Sequence, residues 1–410
     1  MPVGYLWTVA FVAAGTLFAL APVRRPWPLD DLSFRLGLLI GELPFVAAAW
    51  LVLWTAVAFA QGDIRTPAGW AAVALAAATV AGLALVVRRS MRARAEVDRA
   101  LAEGLGADRR AAHSPGAAAV GPGRRHPLAR VVLRPFPRRP RGVVRVANLR
   151  YGTGGRRHRL DVYHGRATPP GAPVLIHLHG GGYRGGRKNR QSLPLLHRFA
   201  DRGWVCISAN YRLRPAVRHP EHLIDAKRVI AWVREHGPAF GADPATVFVA
   251  GSSAGGHLAA LAALTPGDPT LQPGFEDADT SVTAVIGLNG YYGPYYGQGP
   301  HSSPSAHITA DAPPFLLVHG DRDTVVPVDI ARRFATELRD AGVETVVYAE
   351  LPGAQHAFDL FHSLRFEAVV DGVEVFTARV LAHRQALRPT AGREPRRPER
   401  PSTPAARSDS

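Results

Sequence analysis

"VFVAGSSAGGHLAALAAL" occupies residues 247–264 and passes from β-branched and aromatic residues, through Gly251-Ser252-Ser253-Ala254-Gly255, into an Ala/Leu-rich run. The first part has the composition of a strand and the last part that of a helix. A serine fixed between two glycines at such a seam sits on a sharp strand-to-helix turn that holds its hydroxyl above the end of a sheet. The glycines are needed there because the turn is tight and the helix packs close to the strand. In the G-x-S-x-G frame the central serine is Ser253, and Ser252 fills the variable position. The helix that follows opens with free N–H groups, which favour developing negative charge.

On either side of this seam short apolar runs alternate with helical patterns. "RLDVYHG", "PVLIHLHGGG", "GWVCISANYRL", "TVFVAG", "VTAVIGLNG", "PPFLLVHG" and "ETVVYAEL" read as strands. "HLIDAKRVIAWVREHG", "DIARRFATELRDAG" and a closing stretch near 364–384 read as helices. Such alternation predicts an α/β domain over 146–387 with a mostly parallel sheet flanked by helices on both faces. Ligands of such sheets gather at the carboxyl ends of the strands.

The remaining motifs fall at those ends. His179-Gly180-Gly181-Gly182-Tyr183 directly follows the strand "PVLIHL", and its glycines leave backbone N–H groups unobstructed. Gly181 and Gly182, joined by Ala254, are the expected donors of an oxyanion hole. His179 is expected to brace that loop. A serine hydroxyl needs a base, and imidazole titrates in the right range. His356, in "LPGAQHAFD" after the last expected strand, is the expected base, with His362, His319 and His257 as competitors. The base needs a carboxylate to fix its tautomer. "VHGDRDTVVP" offers Asp323, with Asp321 as runner-up, while Asp359 is expected to be structural.

Charge argues against a nucleic-acid partner. The chain has 410 residues and a formal net charge of +16. The excess sits in 88–145, with 15 Arg against 4 acids, and in 388–410, with 6 Arg against 3 acids, so the rest is nearly neutral. A nucleic-acid binder carries its basic residues on a folded surface. Both basic stretches are rich in Pro and Gly and read as a linker (88–145) and a disordered tail (388–410), with 88–103 as a short basic helix along an anionic leaflet. Arg184, Arg187, Lys188 and Arg190 read as a solvated face beside the oxyanion loop. The single cysteine, Cys206, excludes an internal disulfide and a Cys-based zinc site, and reads as a core thiol.

Residues 1–87 hold three stretches suited to a bilayer. Residues 4–23 and 68–87 carry no charge, and 36–60 carry only Glu42. Each approaches or exceeds the about 20 residues a spanning helix needs. Three transmembrane helices are therefore expected, making a multi-pass cell-membrane protein. Arg24, Arg25 and Arg35 in the first loop, against Arg65 alone in the second, place the first loop and everything after residue 88 in the cytoplasm.

Together "HGGGY", "NYRL", "GSSAGGHLA", "HGDRDTVVP" and "GAQHAF", spread over 146–387, resemble the HGGG-bearing carboxylesterase and lipase branch of the α/β-hydrolase superfamily, the branch of hormone-sensitive-lipase-like enzymes. With its preceding spans the chain looks like membrane-associated actinobacterial esterases. The resemblance implies an α/β-hydrolase fold, the order Ser253–Asp323–His356 for a catalytic triad, and ester hydrolysis through an acyl-enzyme with neither metal nor organic cofactor. It also implies that "NYRL" and Asp225 scaffold the site. The branch often has Asp or Glu before the nucleophile, where this chain has Ser252. The segment "GYYGPYYGQGPHSSPSAHITADAPP" is too short for a large helical cap, and suggests an open pocket for short- or medium-chain acyl groups of a small-molecule or lipid ester. Amide, formamide or peptide cleavage by the same residues is the nearest alternative. A silent hydrolase fold used for binding is the more distant one.

Overall fold

The computed structural model describes residues 3–24, 29–106 and 128–387. The expected tail at 388–410, and 107–127 of the expected linker, lie outside the described residues.

Eight strands form one sheet: β1 (Val143–Arg150), β2 (Arg159–Gly165), β3 (Ala172–Leu178), β4 (Val205–Ala209), β5 (Ala242–Ser252), β6 (Ala284–Leu288), β7 (Phe315–Gly320) and β8 (Val346–Leu351). Their spatial order is β1-β2-β4-β3-β5-β6-β7-β8. β2 runs antiparallel to both neighbours, and every pair from β4 to β8 is parallel. The sheet is buried on both faces, which is why its central strands read as continuous apolar runs. Along β5, Val247 and Val249 face a core shared with α7 (Glu221–His236), α8 (Ala254–Leu264) and α9 (Val328–Asp340). Phe248 and Ala250 face a core shared with α6 (Leu193–Asp201) and α10 (Leu364–Leu387).

The second core has a further helix that the sequence reading assigned elsewhere. The apolar stretch 68–87 and the basic stretch after it form one helix of 39 residues, α4 (Pro67–Leu105). The expected boundary between 87 and 88 falls inside it. Residues 93–101 do not lie along a leaflet: Ala93, Val97, Ala100 and Leu101 are buried in the second core. Their helical spacing is hidden among arginines, and one of these, Arg94, pairs with Asp371 of α10 at 2.5 Å. Close approach needs glycine twice. A Cβ on Gly104 would lie 2.8 Å from the Val346 carbonyl oxygen, and one on Gly372 would lie 2.4 Å from Val97 Cγ1.

Before α4 come α1 (Val3–Leu20), α2 (Leu29–Glu42) and α3 (Pro44–Ala60). α1 and α4 are each long and apolar enough to cross a membrane. The second expected span is broken, with α2 and α3 meeting at 90°. Pro44 stands at the first turn of α3, where it has no N–H to offer a continuing helix. α1, α3 and the first half of α4 share an apolar core of Tyr5, Val9, Leu51, Ala58, Ala72 and Ala76. Trp7, Phe11, Trp50, Leu53, Phe59 and Trp70 are exposed around them. A short helix, α5 (Leu128–Leu133), precedes β1 within the stretch read as linker.

Candidate active site

β5 ends at Ser252 and α8 begins at Ala254, so Ser253 is the hinge between them. Its backbone has φ 55° and ψ −119°, a region that a residue with a side chain rarely enters. Such strain costs on the order of 1–3 kcal/mol and persists only where the surroundings impose it. Here they do. A Cβ on Gly251 would lie 2.0 Å from the Gly255 carbonyl oxygen, and one on Gly255 would lie 2.0 Å from the Leu178 carbonyl oxygen. Ser253 N–H donates to the Leu288 carbonyl at 3.0 Å, anchoring the turn to β6.

The glycine loop after β3 lies against this turn. A Cβ on Gly180 would fall 2.9 Å from both Ser253 Cβ and the Ser252 carbonyl oxygen. Gly181 and Gly182 have φ of 118° and 57°. Their N–H groups have no acceptor among the described residues, and Ala254, opening α8, has no intrahelical acceptor either. These are the three donors expected from sequence. The loop is held from behind. Gly180 N–H donates to Gln191 Oε1 at 2.6 Å, and Tyr211 Oη donates to the His179 carbonyl at 2.7 Å. Tyr211 also stacks on the His179 ring at 4.4 Å. Burial lowers the His179 pKa to about 4, so the ring is a neutral brace. Arg212, next to Tyr211, pairs with buried Asp225 at 2.8 Å. Of the basic residues beyond the loop, Lys188 is not part of a solvated face: it is buried and ion-paired to Asp161.

Asp323 and His356 arrive from the loops after β7 and β8. His356 Nδ1 and Asp323 Oδ2 are 2.7 Å apart, with both side chains buried. Asp323 Oδ1 accepts from the N–H groups of Val325 and Val326 at 2.9 and 2.7 Å, and Oδ2 also lies 3.2 Å from His319 Nε2. Burial alone would raise the Asp323 pKa. The charge of His356 and the bonds from His319 and His356 outweigh it and hold the carboxyl well below its ordinary range. Gln355 Oε1 accepts from Thr324 and His356 N–H at 2.8 and 2.9 Å, tying the two loops together. Ser253 Oγ and His356 Nε2 make no hydrogen bond among the described residues.

Of the competitors, His319 shares the Asp323 carboxylate and lies 3.0 Å from the Val326 carbonyl oxygen, while the others are occupied elsewhere. Asp321 accepts from Gly353 N–H at 2.6 Å. His362 pairs with Glu367 at 2.5 Å. His257 is buried between Tyr183 Oη at 2.6 Å and the Gly293 carbonyl at 3.0 Å, with its pKa lowered to about 3 by burial. Among the described residues no group of three or more His, Cys, Asp or Glu is arranged to hold a metal ion.

Two contributors were not singled out by the sequence reading, and a third, Asp359, was named there only as structural. Gln191 and Gln355 brace loops, and neither stands in a motif with a recognisable spacing. Asp359 was read as structural, and its contacts are specific: Oδ2 accepts from Ser252 Oγ at 2.5 Å and from Ser192 Oγ at 2.6 Å. Ser192 N–H donates to the Asp359 carbonyl at 3.1 Å. Beneath them His177 Nε2 lies 3.1 Å from Ser252 Oγ. Asp359 stands three residues after His356, so these bonds draw the histidine loop onto the serine turn.

A family model described as BD-FAE matches residues 160–295. The chain is 37% identical to a Mycobacterium tuberculosis protein named "Probable carboxylic ester hydrolase LipM", with 94% of this chain and 95% of that one covered. It is 40% identical to "Esterase LipQ" of the same organism, over 62% of this chain and 66% of that protein. Among solved structures, Thermogutta terrifontis esterase 2 phosphoramylated by tabun superposes with a TM-score of 0.52 at 27% identity, covering 58% of this chain and 95% of that one.

Proposed function

Because the chain belongs to the α/β-hydrolase family of carboxylic ester hydrolases that includes LipM, we propose that it is a membrane-anchored serine esterase acting through Ser253, His356 and Asp323. The observation that carries the reading is the buried 2.7 Å contact of Asp323 with His356 Nδ1, on a loop that Asp359 fastens to the residue before Ser253. That contact leaves Nε2 as the nitrogen for the reacting groups.

His356 takes the Ser253 proton as Oγ attacks the ester carbon. The developing oxyanion is met by the N–H groups of Gly181, Gly182 and Ala254, and removing one such donor typically costs about 10²–10³ in turnover. The imidazolium, stabilised by Asp323, gives its proton to the departing alkoxide, and the C–O bond to the alcohol breaks. A water deprotonated by His356 then attacks the acyl-enzyme and releases the acid and Ser253.

Short- or medium-chain acyl groups fit a site roofed by the tyrosine-rich segment after β6. Tyr296 Oη donates to the Gly182 carbonyl at 3.3 Å, and Arg214 lies 4.6 Å over the Tyr296 ring. Rates on p-nitrophenyl esters should fall as the acyl chain lengthens beyond medium size. α1, α3 and the first half of α4 would anchor the chain with the sheet domain in the cytoplasm; protease should then reach that domain in inverted vesicles and not in intact cells.

The named relative from Thermogutta terrifontis is phosphoramylated by tabun, which supports using an organophosphorus probe. Ser253→Ala, with Ser252 intact, should lose fluorophosphonate labelling and lower turnover about 10⁴-fold or more. Labelling that survives in Ser253→Ala would refute the assignment.

A further inference from the structure

His356 has a neighbour from outside the sheet domain. Phe34 of α2 lies with its ring centroid 6.3 Å from that of His356, tilted by 59°. α2 is fixed in this place by Arg365, whose Nη1 donates to the Gly41 carbonyl at 2.8 Å and pairs with Glu42 at 2.9 Å. Arg365 Nε donates to the Pro352 carbonyl at 3.1 Å, on the loop that carries His356. One guanidinium thus ties the base loop to the end of α2.

α2 also lies where the apolar helices meet the sheet domain. It begins a few residues after α1 ends, and it leads at 90° into α3. The end of α1 is held at the same level, since Arg89 Nη1 donates to the Leu20 carbonyl at 2.9 Å, just past the apolar half of α4. Leu29, Leu32 and Leu39 of α2 are exposed. A second exposed apolar patch, Leu128, Val132, Leu133 and Phe136, joins the loop after His356. There Phe136 packs edge-on to Phe361 at 5.8 Å, and His362 N–H donates to the Pro135 carbonyl at 2.7 Å. Exposed Arg130, Arg134 and Arg138 are interspersed with it, as suits an anionic leaflet.

We propose that the site opens on its His356 side into the leaflet, with Phe34 lining the opening, and that the enzyme takes esters whose alcohol part is the membrane-resident half. This rests on the membrane-anchored esterase reading and deepens it. The imidazole that accepts the Ser253 proton must return it to the alkoxide, so the alcohol leaves beside His356. The carbonyl oxygen faces Gly181 and Gly182, which places the acyl chain towards Tyr296. The two halves of the ester are therefore sorted, acyl to the tyrosines and alcohol to Phe34 and the bilayer. A short acyl group on a long apolar alcohol fits this arrangement, and the reverse does not.

Two isomeric esters separate the halves: hexadecyl butyrate and butyl palmitate contain the same atoms. Full-length protein in phosphatidylcholine/phosphatidylglycerol vesicles should cleave hexadecyl butyrate about tenfold faster or more. Phe34→Ala should bring that ratio down towards unity, and Phe34→Leu should keep most of it. Because the readout is a ratio, a partly folded variant does not disguise the result. Equal or inverted rates, or a ratio that Phe34→Ala leaves unchanged, would overturn the proposal while p-nitrophenyl butyrate turnover persists. Wild-type protein inactive on p-nitrophenyl butyrate would remove the esterase reading and this proposal together.

Discussion

The turn at Ser253 and the helices before residue 87 solve opposite problems. Around the turn, Ser192, Ser252, Asp359 and His177 are buried polar side chains bound to one another, and the glycines have no room for a methyl group. In the helices, Thr8, Thr16 and Thr79 bond back to carbonyls of their own helix, while tryptophans and leucines stand exposed. The first region excludes solvent and depends on particular atoms at particular distances. The second turns apolar side chains outward, as suits the proposed bilayer setting, where the obligation would be that each polar group find its partner within the helix. A substitution at the turn is thus read by geometry, whereas one on the helix surfaces is read by transfer free energy. Arg365 belongs to both, since it is a buried charge of the sheet domain whose counter-ion comes from α2.

The largest effect should fall on chemistry at the turn. Asp323→Asn removes the acceptor that fixes the His356 tautomer, and kcat on p-nitrophenyl butyrate should drop about 10⁴-fold. A loss under about tenfold would mean that the carboxylate is not the partner the proposed triad requires. The same carboxyl has a sign in stability. Its pKa is lower in the folded state, so its contribution is present above the unfolded value near about pH 4 and is lost as pH falls through the lower folded value. Denaturant midpoints of wild type and Asp323→Asn should therefore converge on acidification. The second effect joins the two regions. Arg365→Met leaves Glu42 buried and unpaired, which costs about 3–5 kcal/mol in such pairs. Glu42→Gln added to Arg365→Met should recover part of the denaturant midpoint in micelles. Recovery fails if the pair is not the link between α2 and the sheet domain.

How much was legible in the sequence follows the same division. The elbow, the glycine loop and the Asp323–His356 pairing stand in short motifs, because each draws on a narrow set of residue types. Gly251 and Gly255 could be read as obligatory before the carbonyls that crowd them were seen. The apolar stretches were legible by composition, but the break at Pro44 was not: apart from Glu42 the apolar residues run on across it, and within that run the missing N–H of Pro44 is the local mark. The second half of α4 was obscured by its arginines. Its buried face uses Ala93 and Ala100, small residues with little hydrophobic signal, while Arg94 and Arg99 dominate the local charge. Phe34 had no signal at all. Its meeting with His356 spans most of the chain, and depends on how α2 docks.

The smallest of these effects tests the turn itself. Where the family resemblance places an acid, directly before the nucleophile, this chain has Ser252, and the carboxylate reaches that hydroxyl from position 359 instead. Oδ2 of Asp359 accepts from the hydroxyls of Ser252 and Ser192 together, and Gln191 beside Ser192 holds Gly180 N–H. One carboxylate thereby links the serine turn, the glycine loop after β3 and the histidine loop. Asp359→Asn keeps the shape and weakens the acceptor, so kcat should fall about tenfold with KM little changed, and stability by about 1–2 kcal/mol. Lost packing would produce the stability change alone. The exchange Ser252→Asp with Asp359→Ser moves the charge to the other end of the same bond, and should restore turnover if alignment of the turn is its role. A double variant no better than Asp359→Asn would mean that the carboxylate acts through Ser192 and the oxyanion loop, leaving Ser252 a spectator.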